Sequence, residues 1–406
     1  MSDDREQSPG WCFTRQELAG SLGDLGTLLP LAIGLIRING LEPTAVLLAV
    51  GLFYVLTGLY FRTTVPVQPM KAIGAYAIAM ALTPVQISTA GLMVGAIMLV
   101  LGLTGLIDLA GRLVPRPVVR GVQLTTGVLL FVQGIRFMLG QTVLQQAQGA
   151  AEPFLTVQSL GPVPIGVVLG GAAVMMIMLL LDNRVIPAAL VVVIGGVAAG
   201  LVLGGYRQLD GGVHIGLHLP AILPYGWPAS ADLTVAILVL ALPQLPMTVG
   251  NAVVAQADLA REYFGEQGRR STHRALALSM GLANVLGALV GAMPMCHGAG
   301  GLAAHYRFGA RTPGSNLMIG GLFLAGFLLV GDEAAQLLGL LPLAVLGALL
   351  VFAGCQLAMM ILDVKDRRDL FVVIVILGIA LTTNLAWGFG VGIALAYALQ
   401  GERLKV

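Results

Sequence analysis

Apolar runs long enough to cross a bilayer follow one another along almost the whole of this chain, leaving little room for any other kind of fold. A spanning helix needs about 20 predominantly apolar residues. Such runs fall at 18–36, 44–61, 89–110, 118–138, 161–181, 185–204, 232–259, 274–292, 315–331, 334–361, 369–384 and 386–400. Only 10% of the 406 residues are charged and 57% are hydrophobic, whereas a soluble domain carries about 25% charged residues. The chain therefore reads as an integral membrane protein with a single membrane domain, 1–406, and membrane lipid as its surroundings. A formal net charge of +2 gives no sign of a nucleic-acid partner. Cys12, Cys296 and Cys355 form no spaced pair, which argues against zinc or a redox motif, and no metal or cofactor is expected. The polar N-terminus MSDDREQSPGWCFTRQE lacks the basic-then-apolar order of a cleaved signal peptide.

Two more segments are apolar but interrupted, 65-VPVQPMKAIGAYAIAM-80 and 292-AMPMCHGAGGLAAHYRFGA-310. Each opens with a piece that proline keeps from being helical, passes a few polar residues, and continues as a helix of small residues. Aligned on Pro66 and Pro294, an offset of 294 − 66 = 228, Gln68 falls on Cys296 and Pro69 on His297. Paired interruptions at corresponding places in two halves point to the binding site of a secondary transporter. With the twelve runs they make fourteen segments, two sets of seven at about 15–204 and 232–400. An odd number of spans inverts the second set relative to the first. The expected fold is thus an all-α polytopic membrane protein, a 7+7 inverted repeat. Spans three and ten are half-helices, each preceded by a short strand that can pair antiparallel with the other.

Lys and Arg test the count, because they collect in cytoplasmic loops. With the N-terminus inside, Arg5, Arg15, Arg62, Arg112, Arg116, Arg120, Arg184, Arg261, Arg269, Arg270, Arg274, Arg307, Arg311, Lys365, Arg367, Arg368, Arg403 and Lys405 share the cytoplasmic side, 18 of 22. Arg37 and Arg207 fall outside, Arg136 near an outer helix end, and Lys71 inside an interrupted segment. Dropping either interrupted span would split these clusters across the membrane. Both termini are therefore expected in the cytoplasm, and a bacterial inner membrane is the expected location.

Half-helices running in opposite directions aim their N-termini at each other near the midplane. Each end offers unpaired N–H groups and about half a positive charge, which favours an anion without a dedicated basic side chain. Pro69 suits the first turn of its helix, with Met70 beside it. Gly298, Gly300 and Gly301, with Ala299 among them, let backbone approach a ligand closely, although tight helix packing is a competing use of such glycines. Valine at Gly298 or Gly300 should then block the site, and Gly320→Ala should matter far less. Lys71 either complements the anion or snorkels to the surface or a carboxylate. Asp24, in 20-GSLGDLGTLLP-30, is either a proton carrier or an interfacial acid at a helix end. Thr27, Gln244, Thr248 and Asn251 are neutral donors for oxyanion oxygens. His297 can donate or take up a proton, and Cys296 reads as a small hydrophobe in a notable place. Tyr306, Arg307 and Arg311 read as topological.

The segments VPVQPMKAIGAYAIA and AMPMCHGAGGLAAHYRFGAR, with GSLGDLGTLLPLAIGL and QLPMTVGNAVVA, resemble the signature stretches of the MOT1-type molybdate transporters, a branch of the sulfate permease superfamily. The similarity runs over nearly the whole chain. It implies the fourteen-span inverted repeat, a core domain that binds substrate between spans three and ten and moves against a gate domain, and no STAS domain. It also implies molybdate as main substrate, with sulfate and tungstate as close competitors. The residues by themselves give only an anion transporter. Protons as coupling ion and a homodimer are left open. A channel would use the same helix ends. A nucleobase–proton symporter would need carboxylates near the site, yet the acids of spans eight and ten are Asp232 and Asp258, at the two ends of span eight. No nucleophile–base pair marks an enzyme.

Overall fold

The computed structural model describes residues 10–113, 115–181, 183, 187–204 and 219–400. Arg5, Arg184, Arg207, Arg403, Lys405 and both chain ends, used above for orientation, lie outside the described residues. Helices stand on all the apolar runs: α1 (Arg15–Arg37), α2 (Pro43–Phe61), α3 (Lys71–Met80), α4 (Pro84–Thr104), α5 (Arg116–Met138), α6 (Ile165–Leu180), α7 (Ala188–Val202), α8 (Ser230–Arg270), α9 (His273–Leu289), α10 (Ala299–Phe308), α11 (Pro313–Val330), α12 (Leu343–Asp363), α13 (Arg367–Thr382) and α14 (Leu385–Gln400). Among the described residues seven of them, α1, α2, α4, α5, α8, α11 and α12, are long and apolar enough to cross a membrane alone. The chain is a mostly helical integral membrane protein.

Helix starts follow local chemistry. Pro43, Pro84 and Pro313 occupy first-turn positions, where the missing N–H is no loss. Thr83, Thr272 and Thr312 accept from the following turn as N-caps, worth about 1 kcal/mol each. Within lipid, association rests on close packing rather than on the hydrophobic effect. In the α5–α12 pair the backbones nearly touch: a Cβ at Gly127 would lie 2.6 Å from the Gly354 carbonyl, and one at Gly134 2.4 Å from that of Gly347. Other close pairs include α4 with α9 and α2 with α11.

The interrupted segments meet at the centre. Gln68–Pro69 (β1) and Met295–Cys296 (β2) pair antiparallel, Gln68 opposite Cys296 and Pro69 opposite Met295. Two buried asparagines absent from the sequence-based site extend this ladder. Asn316 of α11 binds both backbone groups of Val65, at 3.0 and 2.8 Å, and Asn284 of α9 binds both of Met295, each at 2.7 Å. An amide side chain thereby replaces a neighbouring strand where lipid would leave the backbone unsatisfied. Their polarity inside apolar runs was the available signal.

On the face where α1 ends and α12 begins, the described loops pack tightly. Tyr225 accepts from the Glu42 N–H at 2.7 Å and donates to the Gly291 carbonyl at 3.1 Å; burial pushes its phenol up to about 12, so it keeps its proton throughout the physiological range. Arg37 donates to the Leu341 carbonyl and lies 5.1 Å from the Phe154 ring centre. The Glu152 carboxylate accepts from the Leu343 and Ala344 N–H groups, at 2.9 and 2.7 Å, where the start of α12 favours negative charge. Burial nevertheless raises Glu152 from its usual 4.5 to about 7, outweighing those two bonds and Arg37. A folded-state value above the unfolded one gives stability that is complete below about 4.5 and fades as pH rises through 7. Thermal unfolding between pH 5 and 8 should therefore fall less steeply in Glu152→Gln than in the parent, and an equal slope would remove Glu152 from this role.

Candidate functional site

The short helices α3 and α10 both begin where proline-containing extended backbone ends. In α3 the cap residue is Met70, whose N–H donates to the Pro294 carbonyl at 2.8 Å. Pro69 thus closes β1 instead of opening the helix, because its carbonyl side belongs to the strand ladder. Lys71 is the first helical residue. In α10 the cap is Gly298 and no side chain caps the first turn.

The orphan N–H groups of the two helices meet different fates. Those of Ala72 and Ile73 both donate to Gln244 Oε1, at 2.9 and 3.3 Å, while Gln244 Nε2 donates to Thr248 Oγ1 at 3.0 Å. Thr248 in turn donates to the Gln244 carbonyl at 3.1 Å. Gln244, expected as a donor to an oxyanion, accepts from the start of α3 in this structure, with Thr248 as the partner of its amide nitrogen. The eighth helix can present them because Pro243 and Pro246 lack N–H groups, and flanking stretches Val235–Ala241 and Thr248–Ala255 wind as π-helix, a form that recurs at functional sites.

His297 has both ring nitrogens engaged by protein. Its ring lies against Phe53 and Phe61, with centroids 4.7 and 5.9 Å away. Nδ1 donates to the Pro66 carbonyl at 2.8 Å, and Nε2 meets Ser279 Oγ at 3.0 Å. Both nitrogens are engaged, so the ring ties two extended segments together rather than facing a ligand. Cys296, Met70 and Gln68 are fully buried in the same scaffold, and Ala299 is nearly so.

The three glycines divide sharply. A Cβ at Gly298 would stand 2.0 Å from Gln68 Oε1 and 3.5 Å from Asn251 Nδ2, and one at Gly301 would stand 2.7 Å from Asp24 Oδ2, Gln68 Nε2 and Pro66 Cβ. Both glycines permit protein to pack on protein. Gly300 has no neighbour within 4 Å of such a Cβ. It looks into a cavity of about 390 Å³.

That cavity brings together part of the expected set: Asp24, Thr27, Lys71 and Gly300 line its inner end, and Arg307, Gln356 and Asn183 lie elsewhere along its wall. It runs between α1, α3 and α10 on one side and α6, α7 and α12 on the other. Lys71 is half-buried and makes no ion pair within 4 Å among the described residues. Asp24 is buried, and its Oδ1 accepts from Gln68 Nε2 at 2.6 Å while Oδ2 has no hydrogen-bond partner. Thr27 and Lys71 are near this carboxylate. Among the described residues a lysine with no ion pair within 4 Å, a helix start that no side chain caps and a buried carboxylate share this wall, and the first two can bind an anion.

The profile of a family described as "Molybdate transporter of MFS superfamily" matches residues 16–130 and 236–357, which include α1, β1, α3, most of α8, β2 and α10. The chain belongs to the molybdate transporter family. It is a transporter, not an enzyme. "Molybdate transporter 2" of Arabidopsis thaliana is 33% identical over 410 residues, covering 95% of this chain and 87% of the relative. "Molybdate transporter 1" of Arabidopsis thaliana is 35% identical, with 93% and 86% covered, and that of Chlamydomonas reinhardtii 33%, with 94% and 90% covered. The fold is that of the transmembrane domain of the cyanobacterial bicarbonate transporter BicA, with a TM-score of 0.65 and 19% identity, covering 95% of this chain and 98% of that one. Murine Slc26a9, an anion transporter in its inward-facing state, superposes with a TM-score of 0.67 at 15% identity, covering 96% of this chain and 68% of that one.

Proposed function

We propose that this transporter carries molybdate by alternating access, with the oxyanion bound at the inner end of the cavity beside Lys71, Thr27 and the N–H groups that open α10. The observation that carries this reading is the open face of Gly300 at an uncapped helix start, with an unpaired lysine on the same cavity wall. The uncapped start of α10 contributes about half a positive charge and Lys71 a whole one, together offsetting most of a dianion's charge. Molybdate is the substrate class named for all three relatives. Tungstate and sulfate, of the same shape and charge, are proposed as weaker competitors.

The architecture that goes with it is fourteen spans in two inverted sets, about 15–204 and 232–400, in a bacterial cytoplasmic membrane with both termini inside. Contacts support it: exchanging the sets turns the α2–α11 pair into α9–α4, and α5–α12 and β1–β2 into themselves. α1–α4 and α8–α11 would form the moving core, and α5–α7 with α12–α14 the gate. In the proposed orientation Arg307 and Phe308 lie at the cytoplasmic end of the cavity, while Arg37, Phe154 and the Leu341 carbonyl close the outer side. The molecule is then inward-open. A closed outer side favours a carrier over a channel, which needs a continuous water path.

Uptake of molybdate into proteoliposomes, with and without an inward-directed proton gradient and with sulfate or tungstate competing, tests the assignment. Saturable uptake stimulated by the gradient is expected; passive flux proportional to concentration would indicate a channel. Lys71→Gln should weaken molybdate binding about tenfold to a hundredfold, the range for loss of a charged hydrogen-bond partner. Calorimetry giving parental affinity in this variant would take Lys71 out of the site.

A further inference from the structure

A second cavity lies between α2 and α9. It measures about 470 Å³ and is lined by Leu52, Leu56 and Tyr60 on one helix and Leu278, Leu282 and Leu286 on the other. Leu56, Leu282 and Leu286 are each more than half exposed, at 59%, 54% and 54%, so the cleft opens along the flank of the protein. Two of its polar side chains are already engaged: Thr57 donates to the Phe53 carbonyl at 2.7 Å and Ser279 meets His297, while the hydroxyl of exposed Tyr60 is the third. Water finds little to bind along the slot, whereas a hydrocarbon chain fits a long apolar slot in a bilayer.

One end of the slot is different. Arg270 donates to the Tyr60 carbonyl at 2.9 Å, Arg62 follows Tyr60 by two residues, and Arg274 precedes the lining residue Ala275. All three arginines are exposed and none has an ion-pair partner within 4 Å among the described residues. The neighbouring carboxylates are committed elsewhere, Glu266 to Arg269 and Asp108 to His273, at 2.7 and 2.6 Å. Three uncompensated guanidinium groups at the mouth of a hydrocarbon slot match a phosphate diester attached to an acyl chain.

We propose that the α2–α9 cleft binds one anionic phospholipid, its acyl chain in the slot and its phosphate against Arg62, Arg270 and Arg274. The charge distribution along the chain puts this end in the cytoplasmic leaflet. The slot floor includes Met295 and Ser279, one a member of the strand pair and the other a partner of His297, so the lipid tail buttresses the scaffold from which α10 starts. Binding at this site should therefore stabilise the whole protein.

The test uses the full chain, purified in detergent and stripped of lipid, with phosphatidylglycerol, phosphatidylcholine or glycerol phosphate added. Phosphatidylglycerol should raise the unfolding temperature and remain bound, one per chain, in native mass spectrometry; phosphatidylcholine and glycerol phosphate should do neither. Changing all three arginines to glutamine should weaken retention about a hundredfold, at about fivefold per cation. Ala283→Phe should fill the slot and abolish retention although the arginines remain, and Leu282→Trp repeats that test if the first variant does not fold. Equal retention of the two lipids, stabilisation by glycerol phosphate alone, or undiminished retention in a folded slot-filled variant would each overturn the proposal.

Discussion

Gly300→Val should bind molybdate at least about a hundredfold more weakly than the parent, the consequence of losing two or more charge-assisted hydrogen bonds, while unfolding at nearly the same temperature. The added methyls enter open space, since a Cβ at Gly300 meets nothing within 4 Å, and that space is where the anion is proposed to sit. Gly298→Val is a poorer probe. Its Cβ would fall 2.0 Å from Gln68 Oε1, so the bond from Gln68 to Asp24 and the start of α10 would shift together, and stability would drop along with affinity. Gly320→Ala is not the harmless control that its place in an apolar run implies. A Cβ there would lie 2.8 Å from Val55 Cγ2 and 2.9 Å from the Gly51 carbonyl, inside the α2–α11 contact. Gly321, with no neighbour within 4 Å, is the right comparison. Calorimetry and thermal unfolding on the same preparations separate the two effects, and parental affinity in folded Gly300→Val would place the anion elsewhere.

Asp24→Asn should abolish the response of uptake to a proton gradient while leaving molybdate binding nearly intact. The carboxylate is buried, one oxygen is held by Gln68 and the other lacks a partner on the wall of a cavity. A buried carboxylate with one unsatisfied oxygen in a membrane-spanning helix is a group whose protonation can change during a transport cycle. Asparagine preserves an acceptor for Gln68 Nε2 and removes the titration. The expected result in proteoliposomes is equal uptake with and without the gradient, against clear stimulation in the parent. Gradient-driven uptake in Asp24→Asn would leave Asp24 a structural acid and pass the coupling role to another group.

The interrupted segments were legible in the sequence because their physics is local: Pro66, Pro69 and Pro294 bar helix, and runs of small residues resume it. Antiparallel pairing followed from the need to satisfy extended backbone in lipid, and the structure pairs Gln68 with Cys296. The partners of individual side chains were not legible. Gln244 reaches backbone N–H groups 172 and 171 residues away, and nothing near Gln244 in the chain distinguishes a capping amide from a ligand-binding one. His297 sat in the right segment but faces Pro66 and Ser279, because one residue of advance along extended backbone turns a side chain to the opposite side. The glycines were recognised as a group, yet only packing separates Gly300, facing open space, from Gly298 and Gly301, pressed against Gln68.

Tungstate has the shape and charge of molybdate and scatters strongly enough to be located directly. In a structure determined with tungstate bound, the metal should lie at the inner end of the cavity, its oxygens within about 3 Å of the Gly300 N–H and of Lys71 Nζ, the ordinary hydrogen-bond range. A well-occupied tungstate elsewhere, with the space between Lys71 and Gly300 empty, would contradict the proposed site.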